Sequence, residues 1–271
     1  MKPLLSLFPG IGLLDRGFET AGFCVVRGPD LLFGGDVRSF HVPAGCFSGV
    51  IGGPPCQNFS RANRNPDRAA GMELVNEFLR IVTEADPAWW LMENVAGSPT
   101  VTAPGFVTQL FMLDASHCGS DQHRLRKFHF GHRAGTRELV IPRPGPAEPG
   151  LSQPTCMATE VRRAGRRDFR EFCRLQGLPP GFDLPGFTVT EKYRAVGNGV
   201  PFAMALTLAN AVRQWAAGGV TPHRVCECGC GAFVTGRERL AGPACRKRMQ
   251  RQRDAAPGRP VRVQIGLPLL A

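Results

Sequence analysis

Cys56 stands in the run Gly52-Gly53-Pro54-Pro55-Cys56-Gln57-Asn58-Phe59-Ser60. Two prolines stiffen the loop that carries the thiol, and the glycines let it turn out of a short apolar stretch. A thiol held this way is suited to nucleophilic attack where the local field favours thiolate. A structural free cysteine is the alternative, but it gives no reason for the Pro-Pro-Cys-Gln context. Glu93, in Met92-Glu93-Asn94-Val95, follows apolar residues that include Trp89 and Trp90. A half-buried carboxyl has a raised pKa and can donate a proton near neutrality; alone, the same residue reads as a surface Glu at a strand end. In Gln122-His123-Arg124-Leu125-Arg126, alternation puts Arg124 and Arg126 on one face of a strand. Two such guanidiniums suit an anion or a carbonyl oxygen, unless the strand is simply basic and exposed.

A second group could hold a ligand. Phe8-Pro9-Gly10-Ile11-Gly12 is a glycine turn between a strand and a helix. There backbone amides can approach a carboxylate or phosphate, though a lone Gly-x-Gly is more often an ordinary tight turn. Asp30, after a second strand over 24–27, could accept hydrogen bonds from ribose hydroxyls, and Asp36 could receive an amino group. Each acid alone equally fits a solvated loop. Near the end of the chain, Cys226, Cys228, Cys230 and Cys245 could bind zinc tetrahedrally, with His223 as a substitute ligand. Reduced thiols on a flexible tail are the alternative. The following run, Arg246 to Arg253, predicts a basic helix with salt-sensitive affinity for nucleic acid, or a solvated basic tail.

These residues need a scaffold. Residues 3–8, 49–53 and 88–92 read as strands, with Glu93 on the turn after the last. Residues 13–21 and 72–85 read as helices, the second with Leu74, Val75, Phe78, Leu79 and Val82 on one face. A last helix is expected over 201–215, with Pro201 at its first position. Strand-turn-helix repetition argues an α/β doubly wound sheet. Ligands then sit at the carboxyl ends of the strands, after Phe8, Gly53 and Met92. The segment 142–154, rich in Pro and Gly, must be loop.

The chain has 271 residues, 43% apolar and 20% charged. It is long enough to bury a core without disulfides. No apolar run reaches about 18 residues, so no membrane span is expected, and the start lacks a signal cleavage site; the cytoplasm is the expected compartment. The formal net charge of +11 comes from 33 basic and 22 acidic residues, 29 of the basic ones being Arg. That balance points to a polyanionic partner. Residues 224–262 hold 10 basic and 3 acidic residues, so much of the excess lies there.

Taken in order, these motifs resemble the C5-cytosine-specific DNA methyltransferase family. LFPGIGLLDRGFETAGF resembles its cofactor loop, GGPPCQNFS its cysteine motif, ENV its glutamate motif and QHRLR its Gln-x-Arg-x-Arg motif. RDFREFCRLQGLPPGF and AVGNGVP resemble its last two segments, so the likeness runs from about Lys2 to Trp215. The resemblance implies an S-adenosylmethionine-dependent, Rossmann-like methyltransferase fold, with a mostly parallel seven-stranded-type sheet and helices on both faces. It implies that Cys56 attacks C6 of a flipped cytosine, that Glu93 holds or protonates N3, that Arg126 binds O2 and that Arg124 orients the catalytic loop. It implies cofactor contacts from Phe8, Gly10, Gly12, Asp30, Asp36, Pro55, Leu74 and Asn198, and contacts to double-stranded DNA from Gln57, Ser60, Arg61, Arg64 and Gln122. The implied layout is a catalytic domain over 1–132 and 166–217 and a reduced target recognition segment over 133–165. A zinc-binding basic module over 223–254 and a tail over 255–271 follow. Only five residues separate Asp30 from Asp36, so one flanking helix of the family is expected to be missing. The expected enzyme is a monomer of a bacterial host or phage-infected cell that protects DNA from restriction. A cytosine-5 methyltransferase acting on RNA, and an inactive DNA-binding relative, are the alternatives.

Overall fold

The computed structural model describes residues 2–60, 63–142, 153–218, 224–225, 233–234, 239 and 242–255. It divides into two compact units, 1–220 and 221–271. In the first, six strands form one sheet: β1 (Leu4–Leu7), β2 (Val25–Arg27), β3 (Gly49–Gly52), β4 (Trp89–Asn94), β5 (Val107–Asp114) and β6 (Leu125–His132). Their order is β2-β1-β3-β4-β6-β5. The first four pair in parallel, while β6 runs antiparallel to both β4 and β5. The expected seventh strand is absent among the described residues. The chain leaves β1 for β2 on one side and then crosses back to β3 on the other. The crevice beyond the strand ends between β1 and β3 is therefore the switch point where ligands bind in such sheets.

Alternation along the central strands supplies two cores. Leu4, Ile51, Trp89 and Leu91 face α1 (Leu13–Thr20) and α5 (Phe202–Ala216), where Phe18, Met204, Leu208 and Val212 are buried with them. Leu5, Leu7, Val50, Trp90 and Met92 face α2 (Arg68–Ala85), meeting Val75, Phe78, Ile81 and Val82. Strands covered on both faces read as near-continuous apolar runs, which is why β1 and β4 were visible in the sequence. A third cluster forms around α3 (Phe169–Leu175) and α4 (Val189–Asn198), from Phe172, Leu175, Tyr193 and Val196 against Leu13.

Three expectations need correction. β4 continues through Glu93 and Asn94, so Glu93 lies within the strand and not on a turn after it. The pairing Glu93↔Phe128 and Asn94↔Lys127 with β6 holds those two residues extended. Helix α2 starts four residues before the expected Met72, because the Asp67 side chain accepts the Ala70 N–H and caps it. Pro201 is the N-cap of α5 instead of its first residue. The missing helix is indeed absent: Asp30 to Asp36 holds one 3-10 turn, Leu31–Phe33, capped by Asp30.

The second unit has a two-stranded antiparallel pair, β7 (Arg224–Val225) with β8 (Phe233–Val234), and α6 (Pro243–Ala255). Arg246, Lys247, Arg248 and Arg251 on α6 are exposed. Cys226, Cys228, Cys230 and His223 lie outside the described residues, and Cys245 lies in the first turn of α6. Among the described residues no group of three His, Cys, Asp or Glu side chains could hold a metal. The zinc expectation therefore has no support in the described structure.

Candidate active site

Beyond β1 the chain enters the glycine turn with Phe8 at φ 54 and Gly10 at φ 52, both left-handed. Gly12, at φ 75, caps α1. A non-glycine residue with positive φ is strained, so the conformation of Phe8 must be enforced by its neighbours. One brace is Asp15, whose buried carboxylate accepts the Ser6 hydroxyl at 2.6 Å and Arg27 Nε at 2.8 Å. This ties α1 to β1 and β2; burial pushes the Asp15 pKa up, against its hydrogen bonds to Ser6 and Arg27. Another brace is Asp30, which accepts the Gly10 N–H at 2.7 Å and the Leu32 N–H at 2.8 Å.

The turn opens on a cavity of about 590 Å³, within the range of roughly 300–1,000 Å³ typical of small-molecule sites. Phe8, Gly10, Asp30, Asp36, Pro55, Leu74 and Asn198 line it, as do Cys56, Gln57 and Glu93. Gly12 does not. Its absent side chain leaves room for Arg27, whose guanidinium would lie 2.8 Å from a Cβ. At Gly10 a Cβ would meet nothing within 4 Å, so the backbone there faces open space. Asp36 caps a turn through the Arg38 N–H and pairs with the Arg38 side chain at 3.0 Å. The cavity thus offers an apolar slot, open space over the backbone of a glycine and carboxylates on one rim. That donor set fits an adenosine with an amino-acid tail. Glu191, Arg194 and Ile11 also line it and were not singled out in the sequence. A capping-box pattern, Thr188 with Glu191, was the signal available for Glu191.

Cys56 is partly buried at the start of a 3-10 turn, Gln57–Phe59, and its carbonyl accepts the Phe59 N–H at 3.0 Å. Buried Asn94 donates to the Pro54 carbonyl at 3.3 Å, fixing the two-proline approach to the thiol. Glu93 is 7% exposed and pairs with Arg126, Nε to Oε1, at 2.8 Å. A Cβ at Gly53 would sit 3.1 Å from Glu93 Oε2, so a larger residue there would crowd that carboxyl. Burial pushes the Glu93 pKa up, with the Arg126 and Arg124 charges opposing. Burial, and then the charge of Glu93, also push the Cys56 thiol above its ordinary value, against the pull of Arg126 and Arg124. The resting nucleophile is therefore a protonated thiol beside an acid.

Two of the expected site residues are placed differently. Arg124 lies just before β6, is 2% exposed, and donates to the Cys156 and Gly197 carbonyls, both at 2.8 Å. Burial, then the neighbouring Arg126 charge, lower its pKa to about 9. It braces backbone outside the Cys56 loop, so the expected hold on the catalytic loop is not seen. Gln122, expected at the DNA, is fully buried. Its amide nitrogen donates to the Leu175 carbonyl at 2.6 Å and to Gln176 Oε1 at 3.0 Å, and its oxygen accepts the Cys156 N–H at 3.1 Å. A side chain spent on three protein partners cannot face a duplex. Gln57 and Arg64 are exposed, Ser60 is half-buried, and Arg61 lies outside the described residues.

A thiol and a carboxyl in the wall of a ligand cavity, at the switch point of a doubly wound sheet, define an α/β enzyme with a nucleophile and an acid beside its ligand site. The model of the C-5 cytosine-specific DNA methylase family matches residues 35–155. The chain is 37% identical to the type II methyltransferase M.HgiDI of Herpetosiphon aurantiacus, over 78% of this chain and 94% of that one. It is 32% identical to the type II methyltransferase M.AquIA of a Picosynechococcus strain, over 54% and 78%. Among solved structures, a DNA modification methyltransferase encoded within an E. coli prophage superposes with a TM-score of 0.59 at 18% identity. It covers 80% of this chain and 100% of that one. A variant of Spodoptera frugiperda DNMT2 gives 0.54 at 16% identity, over 79% and 100%. These two show the fold. The chain belongs to the C-5 cytosine-specific DNA methylase family, and it is an enzyme that methylates cytosine in DNA.

Proposed function

We propose that the chain acts on a cytosine flipped out of double-stranded DNA, with Cys56 as nucleophile and the 590 Å³ cavity as the S-adenosylmethionine site. The observation that carries this reading is the shared wall: Cys56 and Glu93 line the same cavity as the glycine turn. The base must leave the stack because a duplex hides C6 from a side chain. Cys56 gives its proton to water, its Sγ bonds to C6, and the C5–C6 π pair that this displaces makes C5 nucleophilic. Glu93, whose pKa burial raises, carries a proton to N3 and offsets the charge developing on the ring. Arg126, on the outer side of Glu93, fixes that carboxyl and offers a donor for O2. S-adenosylmethionine supplies the electrophilic methyl group for C5. Loss of the C5 proton and departure of Cys56 then restore the aromatic ring.

Phe8, Gly10, Asp36, Pro55, Leu74 and Asn198 are the proposed cofactor contacts, and Asp30 positions the glycine turn while its free lone pairs face the ribose. Gln57, Ser60, Arg61 and Arg64, on or after the cysteine loop, are the proposed DNA contacts. The exposed cations of α6 add affinity for phosphates that falls with salt. The printed names of the relatives are those of type II methyltransferases, which supports protection of DNA against a restriction nuclease. A cytoplasmic enzyme of a bacterium or an infecting phage fits that role. Bisulfite sequencing of DNA from a methylation-free host expressing the chain tests the reading. Protected cytosines are expected with the unaltered chain and none with Cys56→Ala. Protection by both, or by neither when both are soluble, rejects it, and the second outcome turns attention to RNA.

A further inference from the structure

Three buried polar side chains lie between the chain leaving the recognition segment and the rim of the cofactor cavity. At one end they take both backbone groups of Cys156: Gln122 accepts its N–H at 3.1 Å, and Arg124 donates to its carbonyl at 2.8 Å. At the other end they take three carbonyls around Asn198. Arg124 donates to Gly197 at 2.8 Å, and Gln176 donates to Val196 at 2.6 Å and to Gly199 at 3.3 Å. Gln122 and Gln176 are joined to each other at 3.0 Å, and both are fully buried. Asn198, Gly199 and Val200 line the cavity.

The backbones at the two ends also touch. A Cβ on Gly197 would lie 2.7 Å from the Ala158 nitrogen and 2.9 Å from the Met157 carbonyl carbon. A Cβ on Gly199 would lie 2.3 Å from Leu13 Cδ1, on the helix that follows the glycine turn. The end of α4, residues 196–199, is thus wedged between the 156–158 segment and α1, with its carbonyls held by Arg124 and Gln176. The 153–156 stretch is in turn laced to the approach to β6. Gln153 N–H donates to the Asp121 carbonyl at 2.6 Å, and the His123 N–H donates to the Gln153 carbonyl at 2.9 Å.

We infer that Gln122, Arg124 and Gln176 form a positioning clamp that sets the Asn198 wall of the cofactor cavity from the 153–158 segment. Gln176 is the sharpest member, since it alone bonds to both ends of the turn that presents Asn198. Gln176 is not itself in the cavity lining and has no bond to Cys56 or Glu93, so its effect is on cofactor binding and not on the chemical step. The inference rests on the cavity being the S-adenosylmethionine site.

Gln176→Leu removes both donations and leaves the Val196 and Gly199 carbonyls buried without them. Binding of S-adenosylhomocysteine and steady-state methylation are measured for the unaltered chain, Gln176→Leu and Phe172→Leu. The last trims a core ring beside the clamp without touching its hydrogen bonds. The expected result for Gln176→Leu is weaker S-adenosylhomocysteine binding and a higher KM for S-adenosylmethionine, each by roughly tenfold, about 1.4 kcal/mol. Its kcat at saturating cofactor and its Kd for duplex stay within about twofold, well under that tenfold step. Phe172→Leu lowers Tm and leaves the KM for cofactor in place. Equal KM in Gln176→Leu and the unaltered chain, or an equal rise in Phe172→Leu, overturns the clamp. Should Gln176→Leu not fold, Gln176→Met, which keeps the side chain's length but has no donor, must show the same KM rise, and an unchanged KM overturns the clamp. No binding by the unaltered chain overturns the cavity assignment itself.

Discussion

At the scale of residues, the active-site pair is set by burial. Cys56 and Glu93 each hold their proton more tightly than in water, Cys56 through burial first and the Glu93 charge second. A raised thiol pKa means that the thiolate fraction grows about tenfold per pH unit up to that value and is small at neutrality. Alkylation of Cys56, read on its own peptide by mass spectrometry, is therefore expected to keep rising past pH 9.0 with no plateau below it. Glu93→Gln removes the negative charge facing the thiol, so its Cys56 is expected to alkylate faster than the original at a given pH. Methylation by the same variant falls by about 10²–10⁴-fold, the usual worth of a positioned acid. A plateau near neutral pH, or a variant slower in both assays, contradicts this electrostatic picture. Cys56 and Glu93 were legible because a thiol after two prolines and an acid after an apolar run have few other uses. Gln176 was not legible: a glutamine between Leu175 and Gly177 carries no local pattern, and its partners lie 20 residues or more away. Alternation did put Arg124 and Arg126 on one side, but it could not show that Arg124 precedes the strand and turns to Cys156 and Gly197.

Among the elements, the strands were readable and their ends were not. Double-sided burial makes β1, β3 and β4 continuous apolar runs, but the stop of a strand depends on its neighbour. β4 reaches Asn94 because β6 is there to pair with it, and β6 is distant in sequence. The antiparallel β5–β6 edge was likewise hidden, since Val107 to Asp114 alternates weakly and stays partly exposed. Helix packing leaves a clearer signature in one glycine. Gly17 in α1 meets α5 so closely that a Cβ would lie 2.4 Å from the Ala205 carbonyl carbon. Gly17→Ala is therefore expected to cost about 1–3 kcal/mol, the usual price of overpacking. For a chain of this size each kcal/mol lowers Tm by roughly 2–4 °C. Thermal denaturation followed by circular dichroism reads this directly, and an unchanged Tm would mean that α1 and α5 are further apart.

For the whole molecule, the net charge of +11 and the exposed cations of α6 suit a polyanion, while the chemistry is confined to one crevice of the first unit. The sequence motifs located that crevice because the switch point of a doubly wound sheet collects the loops that follow its central strands. Composition could not show how Gln122 and Arg124 are buried, since that depends on contacts across the entire first unit. The central claim is that the Cys56 thiol reaches C6 of a flipped cytosine in the cavity where S-adenosylmethionine binds. It is tested most directly by incubating the full chain with S-adenosylmethionine and a duplex carrying 5-fluorocytosine at a methylated site, then weighing the denatured product. The fluorine cannot leave as the C5 proton does, so the account predicts a covalent protein–DNA species with one added methyl group, joined at Cys56 and absent from Cys56→Ala. A soluble, cofactor-binding chain that forms no such species, or a Cys56→Ala variant that forms it equally, would contradict the account.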